Sequence, residues 1–417
     1  MKEPLHLCTP AGFRAAGVAC GLKKSGKLDL GLLVNDGPYP AAAAAFTRNA
    51  VVAAPVTLGR RHIADGRIRA VVVNSGNANA CTGKQGDADA LQVCRTAGKV
   101  LDVIAEDVLP GSTGIIGRKL DVVKVEAGIR QAASLLGNTA ENAESFSRAI
   151  LTTDLTTKTA AVRFKLGRDV VTIAGVTKGS GMIGPDMAVA TGAITKTGTK
   201  PLHATMLAYL TTDAKALPSA LQRVLASAVE RSFNCCTVDD HVSTNDTCAL
   251  LASGAGEGKL TSAQSRVSFQ AALTDVCQDL ARQIARDGEG ATKLVTVRVT
   301  GTRTEAHARA IARVIADSPL VKCAMHGGDP NWGRIISAAG YAGVPFDQYA
   351  AVLKLQGTAV FRRGKPLQID DKALSNAMKE ASDLHVHLAC GEGDAEATVW
   401  TCDLSRDYIR INADYRT

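Results

Sequence analysis

Hydrophobic and polar positions repeat along the chain with two periods, and the period separates predicted strands from predicted helices. Residues 7–60 carry short alternating apolar runs bounded by glycine, and residues 160–165 and 170–176 show the same alternation. Such alternation predicts strands, whereas apolar spacings of three and four residues predict helices. Helical spacing covers the segments 87–105, 121–136, 219–232, 262–286 and 305–316. The pattern therefore predicts an α/β protein.

The last part of the chain is predicted to be richer in strands. A strand is predicted at 294–299, and a helix at 371–382 lies among the later strands. Those later strands are predicted at 351–355, 359–361, 397–402 and 408–411. This order predicts a main domain over residues 1–290 and a smaller α/β domain over 291–417.

Glycine-rich segments at the ends of predicted elements are candidates for binding sites. Residues 110–117 (PGSTGIIG) lie between two predicted helices, and backbone amides in such a segment can form an oxyanion hole. Residues 74–80 (NSGNANA) are predicted to form a loop, either a structured turn or a wall of an active site. For both segments, a simple turn is the alternative.

A third glycine segment, residues 179–184, fits the pattern GxGxxG after a predicted strand. A dinucleotide site also requires a helix directly after the loop and an acidic residue about 20 positions further on. Pro185 follows the loop instead of a helix, and the residue 20 positions after Gly184 is Ala204, which is not acidic. Nicotinamide or flavin binding is therefore not predicted.

A pair of aspartates and a pair of histidines are weaker candidates for catalytic or metal-binding residues. Asp239 and Asp240 could act as an acid–base pair or could cap a turn. His385 and His387 lie two apart on a predicted strand, but further ligands with metal-site spacing do not stand nearby in the sequence. No metal site is predicted.

Composition narrows the class of protein and its location. The net charge is +8, but the basic residues are dispersed, so we expect no nucleic-acid partner and attribute the charge to acidic small-molecule substrates. The eleven cysteines show no CxxC pair and are expected to be reduced. Residues 1–17 lack an apolar signal core, and no run of 18 apolar residues occurs, so we expect a cytoplasmic protein without a membrane span.

Ordered motifs along nearly the whole chain resemble the ArgJ family, the glutamate N-acetyltransferases (ornithine acetyltransferases) of arginine biosynthesis. The motifs are CTPAGFRAAG from Cys8, NSGNANACTG from Asn74, GSTGIIG from Gly111, TTD from Thr152, KGSGMIGPDMA from Lys178, ATMLAYLTTDA from Ala204, TVDDHVSTNDT from Thr237, DGEGATK from Asp287, GGDPNWGRI from Gly327 and YIRINADYRT from Tyr408. Because so many motifs occur in order, the resemblance is specific.

The resemblance implies a layered α-β-β-α sandwich and a precursor that cuts itself between Ala204 and Thr205. The products would be an α chain (1–204) and a β chain from residue 205, which in this family assemble as a heterotetramer. Thr205 would then be an N-terminal nucleophile whose own α-amine acts as the local base. It would carry acetyl from N2-acetyl-L-ornithine to L-glutamate in a ping-pong scheme. No cofactor is implied, and whether acetyl-CoA also donates acetyl stays open.

The resemblance also implies the residues of the site. Thr113 and Gly114 would form the oxyanion hole. The substrate-binding positions would be Thr152, Lys178, Thr205, Glu289, Asn412 and Thr417. Lys178 suits a substrate carboxylate, and Glu289 suits an amine. Each of three positions also has an explanation without a binding role. Lys178 could be a surface lysine, Glu289 could end a helix, and Thr417 could belong to a frayed chain end.

One segment departs from the family pattern. In the family the nucleophile directly follows the equivalent of Ala188, whereas here residues 189–204 intervene and contain a second Ala-Thr pair, Ala190-Thr191. We predict Thr205, because MLAYLTTDA after it carries the family's downstream pattern. Two alternatives remain: an N-terminal-nucleophile amidohydrolase or aminopeptidase with water as acceptor, and an unprocessed, inactive relative.

Overall fold

The structure is a computed structural model that describes residues 4–190 and 206–414. The described chain divides into two compact units. The first contains residues 4–190, 206–234 and 241–280, and the second contains 235–240 and 281–414. Among the described residues, no helix has the length and apolar character needed to cross a membrane.

The first unit alternates strands and helices. Its strands are β1 (Phe13–Val18), β2 (Leu30–Asn35), β3 (Ala41–Thr47), β4 (Ala70–Asn77), β5 (Val108–Ile115), β6 (Lys158–Leu166), β7 (Asp169–Lys178), β8 (Met187–Val189), β9 (Leu207–Thr212) and β10 (Thr247–Ala252). Its helices are α1 (Ala54–His62), α2 (Gly83–Leu101), α3 (Val122–Ser134), α4 (Ala140–Ala149), α5 (Pro218–Glu230) and α6 (Ala263–Arg286), the last belonging to this unit as far as Leu280.

The strands of the first unit form two sheets among the described residues. One has the order β1-β2-β4-β5 and the other β6-β7-β9-β10-β3-β8. In the second sheet, β9 pairs antiparallel with β7 and parallel with β10. As a result, the first residue of β9, Leu207, lies between Lys178 of β7 and Thr247 of β10.

The core of the first unit lies in two layers. Phe13 and Val71 of the first sheet share one buried cluster with Phe46 and Tyr209 of the second, which places this cluster between the sheets. A second cluster joins the other face of the first sheet to helices. Its members are Leu32 and Val72 from strands, Val93 and Cys94 from α2, and Val125 and Ile129 from α3.

The second sheet also carries helices on its outer side. Helix α5 packs on β3. Phe269 of α6 contacts Phe164 of β6 with ring centroids 6.0 Å apart. The layers therefore run helix, sheet, sheet, helix, and the prediction of an α-β-β-α sandwich is confirmed.

The second unit is also an α/β structure. Its strands are β11 (Leu294–Thr302), β12 (Val352–Leu355), β13 (Thr358–Arg362), β14 (Lys365–Pro366), β15 (Asp383–Ala389) and β16 (Ala395–Cys402), in the order β14-β13-β12-β15-β11-β16. Its helices are α7 (Glu305–Asp317), α8 (Pro319–Gly327), α9 (Trp332–Gly340), α10 (Asp371–Glu380) and α11 (Arg406–Asp414). Helix α7 covers β11 and β16.

Several local predictions are wrong. Residues 74–80 were predicted as a loop, yet 74–77 belong to β4, and the predicted strands and turns of 7–60 end in helix α1, which has a proline in its first turn. Residues 408–411 were predicted as a strand but belong to α11, because the hydroxyl of Ser405 accepts the backbone N–H of Asp407 and starts a helix there. Residues 110–117 were predicted as a loop, yet 108–115 form β5, paired parallel with β4. Glycine at 111 leaves room for the hydroxyl of Tyr209, which would lie 2.3 Å from an added Cβ.

Candidate functional site

Asp154 is the centre of a buried polar cluster in the first unit. It lies in the loop between α4 and β6, and its side chain is fully buried. One carboxylate oxygen accepts Lys158 Nζ at 2.8 Å and the backbone N–H of Gly179 at 2.6 Å. The other accepts the backbone N–H of Thr152 at 2.9 Å and lies 4.0 Å from Lys178 Nζ. The cluster thus joins the loop before β6 to the end of β7.

The charges in this cluster determine the ionisation of Asp154. Burial alone acts to raise the pKa of this carboxyl, but the ammonium groups of Lys178 and Lys158 outweigh it and hold the pKa well below its usual range. Asp154 is therefore ionised throughout the neutral range. In that state its negative charge lies 4.0 Å from Lys178 Nζ and 2.8 Å from Lys158 Nζ, and both lysine side chains are buried.

Lys178 also connects this cluster to the predicted oxyanion hole. It is the last residue of β7, its side chain is 2% exposed, and its Nζ donates to Thr113 Oγ1 at 3.4 Å. Across the sheet it pairs with Leu207, two positions after Thr205 in the sequence. The structure thus places a cation and a threonine hydroxyl beside the strand that follows the predicted nucleophile.

Gly114 lies where β4 and β5 approach too closely for a side chain. Its φ is +126°, and an added Cβ would lie 2.5 Å from the carbonyl carbon of Gly76 and 2.7 Å from the nitrogen of Asn77. The register of the two strands also shifts at Gly76 and Asn77. The regular ladder is therefore interrupted next to Thr113 and Gly114, the two residues predicted to bind the oxyanion.

Lys23 is a further cation near this cluster. Its Nζ donates to the carbonyl of Leu28 at 2.7 Å, and its Cγ lies 3.2 Å from where a Cβ on Gly76 would be. Burial lowers the pKa of Lys23 to about 8, and the charge of Lys178 acts in the same direction. Lys23 therefore adds an amine with a lowered pKa close to the predicted oxyanion hole.

Glu289 and Asn412 come together in the second unit. Glu289 follows α6 and is 9% exposed, and Asn412 lies on α11. The side-chain amide of Asn412 donates to Glu289 Oε2 at 2.9 Å and to the carbonyl of Tyr408 at 3.0 Å. Because a carboxylate has about four acceptor positions, Glu289 keeps the capacity to accept an amine of a substrate.

The structure thus places six of the predicted residues in two groups. In the first unit, Thr152 and Lys178 contact Asp154, and Lys178 also contacts Thr113, which Gly114 follows in β5. In the second unit, Glu289 pairs with Asn412. The predicted residues Ala204, Thr205 and Thr417 lie outside the described residues.

Two aspartates with site contacts were not predicted from the sequence. Asp154 is the acidic residue of the TTD motif, and Asp246 accepts the backbone N–H of Met206 at 2.6 Å. Each aspartate belongs to a motif that resembles the family, TTD for Asp154 and TVDDHVSTNDT for Asp246. That membership was the sequence signal by which both could have been found. Neither motif indicates the backbone N–H of Gly179 as a partner of Asp154 or that of Met206 as a partner of Asp246, because these groups lie 25 and 40 positions away in the sequence.

The weaker candidates have other partners. Asp240 accepts Arg313 at 3.2 Å, whereas Asp239 accepts the Tyr408 hydroxyl at 3.2 Å. His387 shares a hydrogen bond of 3.0 Å with Thr300. In the part of the chain that the structure describes, no three His, Cys, Asp or Glu side chains are grouped to hold a metal ion.

Replacing Asp154 by asparagine is expected to destabilise the folded protein by about 3–5 kcal/mol at pH 7, because two buried lysines lose their counter-charge. The lowered pKa sets the pH dependence. The carboxylate's contribution is complete above its ordinary pKa of about 4 and is lost as pH falls from there toward the lowered pKa. Urea denaturation of both proteins at a series of pH values measures this difference, which should shrink in acid.

The matched control is Asp36→Asn, which removes the exposed ion pair with Arg14. Exposed pairs contribute about 0–1 kcal/mol, so this variant should unfold nearly as the parent does. Equal free energies of unfolding for Asp154→Asn and the parent would show that the Asp154 carboxylate does not stabilise the two buried lysines.

Comparison with known proteins gives matches over nearly the whole chain. The family model described as the ArgJ family matches residues 14–417. The "Arginine biosynthesis bifunctional protein ArgJ" of Gloeobacter violaceus is 44% identical over 414 residues, covering 97% of this chain and 96% of the relative. The protein with the same name in Dehalococcoides mccartyi is 42% identical over 415 residues, covering 99% and 97%.

Solved structures also match. The ornithine acetyltransferase of Mycobacterium tuberculosis, solved in complex with ornithine, is 39% identical to this chain. That match covers 44% of this chain and 96% of the solved chain, with a TM-score of 0.41.

Proposed function

Because the chain belongs to the ArgJ family, we propose that it is an acetyltransferase of arginine biosynthesis that moves acetyl from N2-acetyl-L-ornithine to L-glutamate. The reaction passes through an acetyl-threonine on Thr205. We also propose acetyl-CoA as a second acetyl donor for glutamate. The relatives' shared name calls them bifunctional, which agrees with a second activity.

Maturation produces the nucleophile. The hydroxyl of Thr205 attacks the carbonyl carbon of Ala204, the peptide bond between them breaks, and the acyl group moves from nitrogen to oxygen. Water then hydrolyses the ester, which gives a carboxylate on Ala204 and a free α-amine on Thr205. This amine takes the proton of the Thr205 hydroxyl, since a hydroxyl alone is a poor nucleophile at neutral pH.

Acetyl transfer then follows two half-reactions. The Thr205 oxygen attacks the acetyl carbonyl of N2-acetylornithine, and ornithine leaves with a proton on its α-nitrogen. The α-amine of glutamate attacks the acetyl-threonine, N-acetylglutamate leaves, and the hydroxyl is restored. Both tetrahedral intermediates carry an oxyanion, which Thr113 and Gly114 stabilise by hydrogen bonds.

The remaining residues bind substrate. Lys178 takes the α-carboxylate that both amino acids share, with Thr152 beside it. Glu289 takes the side-chain ammonium of ornithine, and Asn412 and Thr417 complete the polar contacts. Reduced affinity in a Lys178 variant would therefore extend to both substrates, whereas a Glu289 variant would affect N-acetylornithine more.

One observation carries this proposal: Lys178 Nζ lies 3.4 Å from Thr113 Oγ1, while Lys178 pairs with Leu207, two positions after Thr205. Lys178 at the end of β7, paired with the first residue of β9 and in contact with the Thr113 hydroxyl of β5, brings together the carboxylate-binding cation and the oxyanion donor that acyl transfer between amino acids needs. The α and β chains would remain together as a heterotetramer in the cytoplasm, an arrangement that the family resemblance supports.

The test is acetyl transfer from N2-acetylornithine to labelled glutamate by the purified protein. The proposal predicts labelled N-acetylglutamate and free ornithine in equal amounts, with parallel-line kinetics typical of a ping-pong scheme. Free acetate without acetylglutamate would indicate an amidohydrolase. An intact mass near 43.3 kDa together with no turnover would indicate an unprocessed relative.

A further inference from the structure

Asp246 stands directly before β10 and holds the backbone of Met206 in two ways. Its Oδ1 accepts the backbone N–H of Met206 at 2.6 Å. The next residue, Thr247, donates its backbone N–H to the carbonyl of Met206 at 3.0 Å. Both backbone polar groups of Met206 are therefore fixed by residues 246 and 247.

The second oxygen of Asp246 has no such partner. Asp246 is fully buried, and no described residue donates to or accepts from Oδ2. Burial raises the pKa of this carboxyl, which favours its neutral form. A buried carboxyl with an unsatisfied oxygen destabilises the folded protein. The presence of Asp246 at this position therefore requires an explanation other than stability.

The position of Met206 in the sequence gives that reason. The nitrogen of Met206 is covalently bonded to the carbonyl carbon of Thr205, so the atom that Asp246 holds is the first atom after the predicted nucleophile. The following residue, Leu207, is fixed by strand pairing to Lys178 on one side and Thr247 on the other. Among the described residues, the Asp246 carboxyl thus fixes the backbone N–H of the residue directly after Thr205.

We propose that Asp246 is a positioning residue, whose Oδ1 holds the Met206 peptide and thereby orients Thr205 for self-cleavage and for acetyl transfer. This inference rests on the proposed function. The positioning role requires only a hydrogen-bond acceptor at Oδ1. An asparagine at this position would keep that acceptor, because a neutral carboxyl and a primary amide both present one carbonyl oxygen to an N–H donor. A shift of 1 Å in a reacting group typically changes the rate by about 10²-fold.

The experiment compares Asp246→Asn, which keeps a carbonyl oxygen, with Asp246→Val, which fills the space without an acceptor. The full-length precursor of each is followed by intact mass for cleavage and by the acetylornithine–glutamate assay for kcat and KM. Asp246→Asn should cleave and turn over within about threefold of the parent. Asp246→Val should lose about 10²-fold in kcat and in cleavage rate, with KM changed less than threefold.

Asp213→Ala is the matched control, since Asp213 follows the other end of β9 and its Oδ1 accepts the backbone N–H of Thr172 at 2.9 Å. It removes an equivalent anchor far along the strand, and kcat should stay within threefold of the parent. Circular dichroism of every variant checks folding. If Asp246→Val is unfolded, Asp246→Ala, which also lacks the acceptor, replaces it with the same expected loss of about 10²-fold, and a folded Asp246→Ala of parental kcat overturns the positioning role.

The outcomes separate this inference from the proposed function. A parent protein that neither cleaves nor transfers acetyl overturns the proposed function. An active parent with a folded Asp246→Val variant of equal kcat overturns the positioning role. An active parent with an Asp246→Asn variant about 10²-fold slower also overturns it, because the acceptor oxygen alone would then be insufficient.

Discussion

Replacing Thr205 by alanine is expected to leave the precursor uncut and to lower kcat for acetyl transfer by about 10⁴-fold or more. Without the hydroxyl, neither the acyl shift from Ala204 nor the acetyl-threonine can form. Intact mass measures the first loss, and the acetylornithine–glutamate assay measures the second. The two losses should occur together, because one oxygen serves both steps.

The control for this prediction lies in the same segment. Thr191→Ala removes the other Ala-Thr pair, and it should leave cleavage and kcat unchanged. Thr205→Ser keeps a hydroxyl and should restore cleavage at a reduced rate. Normal processing of Thr205→Ala, or its loss in Thr191→Ala, would contradict the assignment of the nucleophile.

Replacing Gly114 by alanine is expected to reduce kcat by about 10²–10³-fold, the usual cost of losing an oxyanion donor. The added Cβ would meet Gly76 and Asn77 backbone atoms at 2.5 Å and 2.7 Å, which cannot move aside as a side-chain end would. β5 must therefore shift relative to β4, and the amide at Gly114 shifts with it. Overpacking of this kind also costs about 1–3 kcal/mol of stability.

Gly117→Ala is the matched control for Gly114→Ala. Gly117 also has a positive φ, +78°, but an added Cβ meets no atom within 4 Å. It should cost about 1 kcal/mol through backbone strain alone and leave kcat within about threefold. Equal kcat values for Gly114→Ala and Gly117→Ala would show that the close approach of β4 and β5 does not position a catalytic donor.

Much of the first unit could be predicted from local pattern. The alternation over residues 170–176 predicted β7 and hence Lys178 at its end, and the helical spacing over 262–286 predicted α6 almost to the residue. These elements are long, and their apolar period is regular, so local sequence determines them.

The partners of these elements could not be predicted in the same way. Strand β9 pairs with β7 and with β10, which lie about 30 to 40 residues away from it in sequence, and this pairing decides that Lys178 and Thr247 flank Leu207. Asp154 and Asp246 are short polar residues in loops, where the pattern is equally typical of a turn. Their partners are set by the packing of the two sheets rather than by neighbours in the sequence.

The short C-terminal elements were the least predictable. Helices α8 and α9 are separated by residues 328–331, and each begins at a side-chain cap, Ser318 for α8 and Asn331 for α9. The segment around GGDPNWGR therefore gave no prediction of a helix. Residues 408–411 contain too few apolar residues to define a period, so their pattern fitted a strand as well as a helix. The side-chain cap of Ser405 starts a helix there.

The central claim is that this chain becomes an enzyme by exposing Thr205 as a new N-terminus. N-terminal sequencing of the fragments of the purified protein, together with their intact masses, tests it most directly. We expect one fragment that ends at Ala204 and a second whose sequence starts Thr-Met-Leu-Ala-Tyr. A fragment that starts at Thr191, or a single uncut chain in a protein that transfers acetyl, would contradict it.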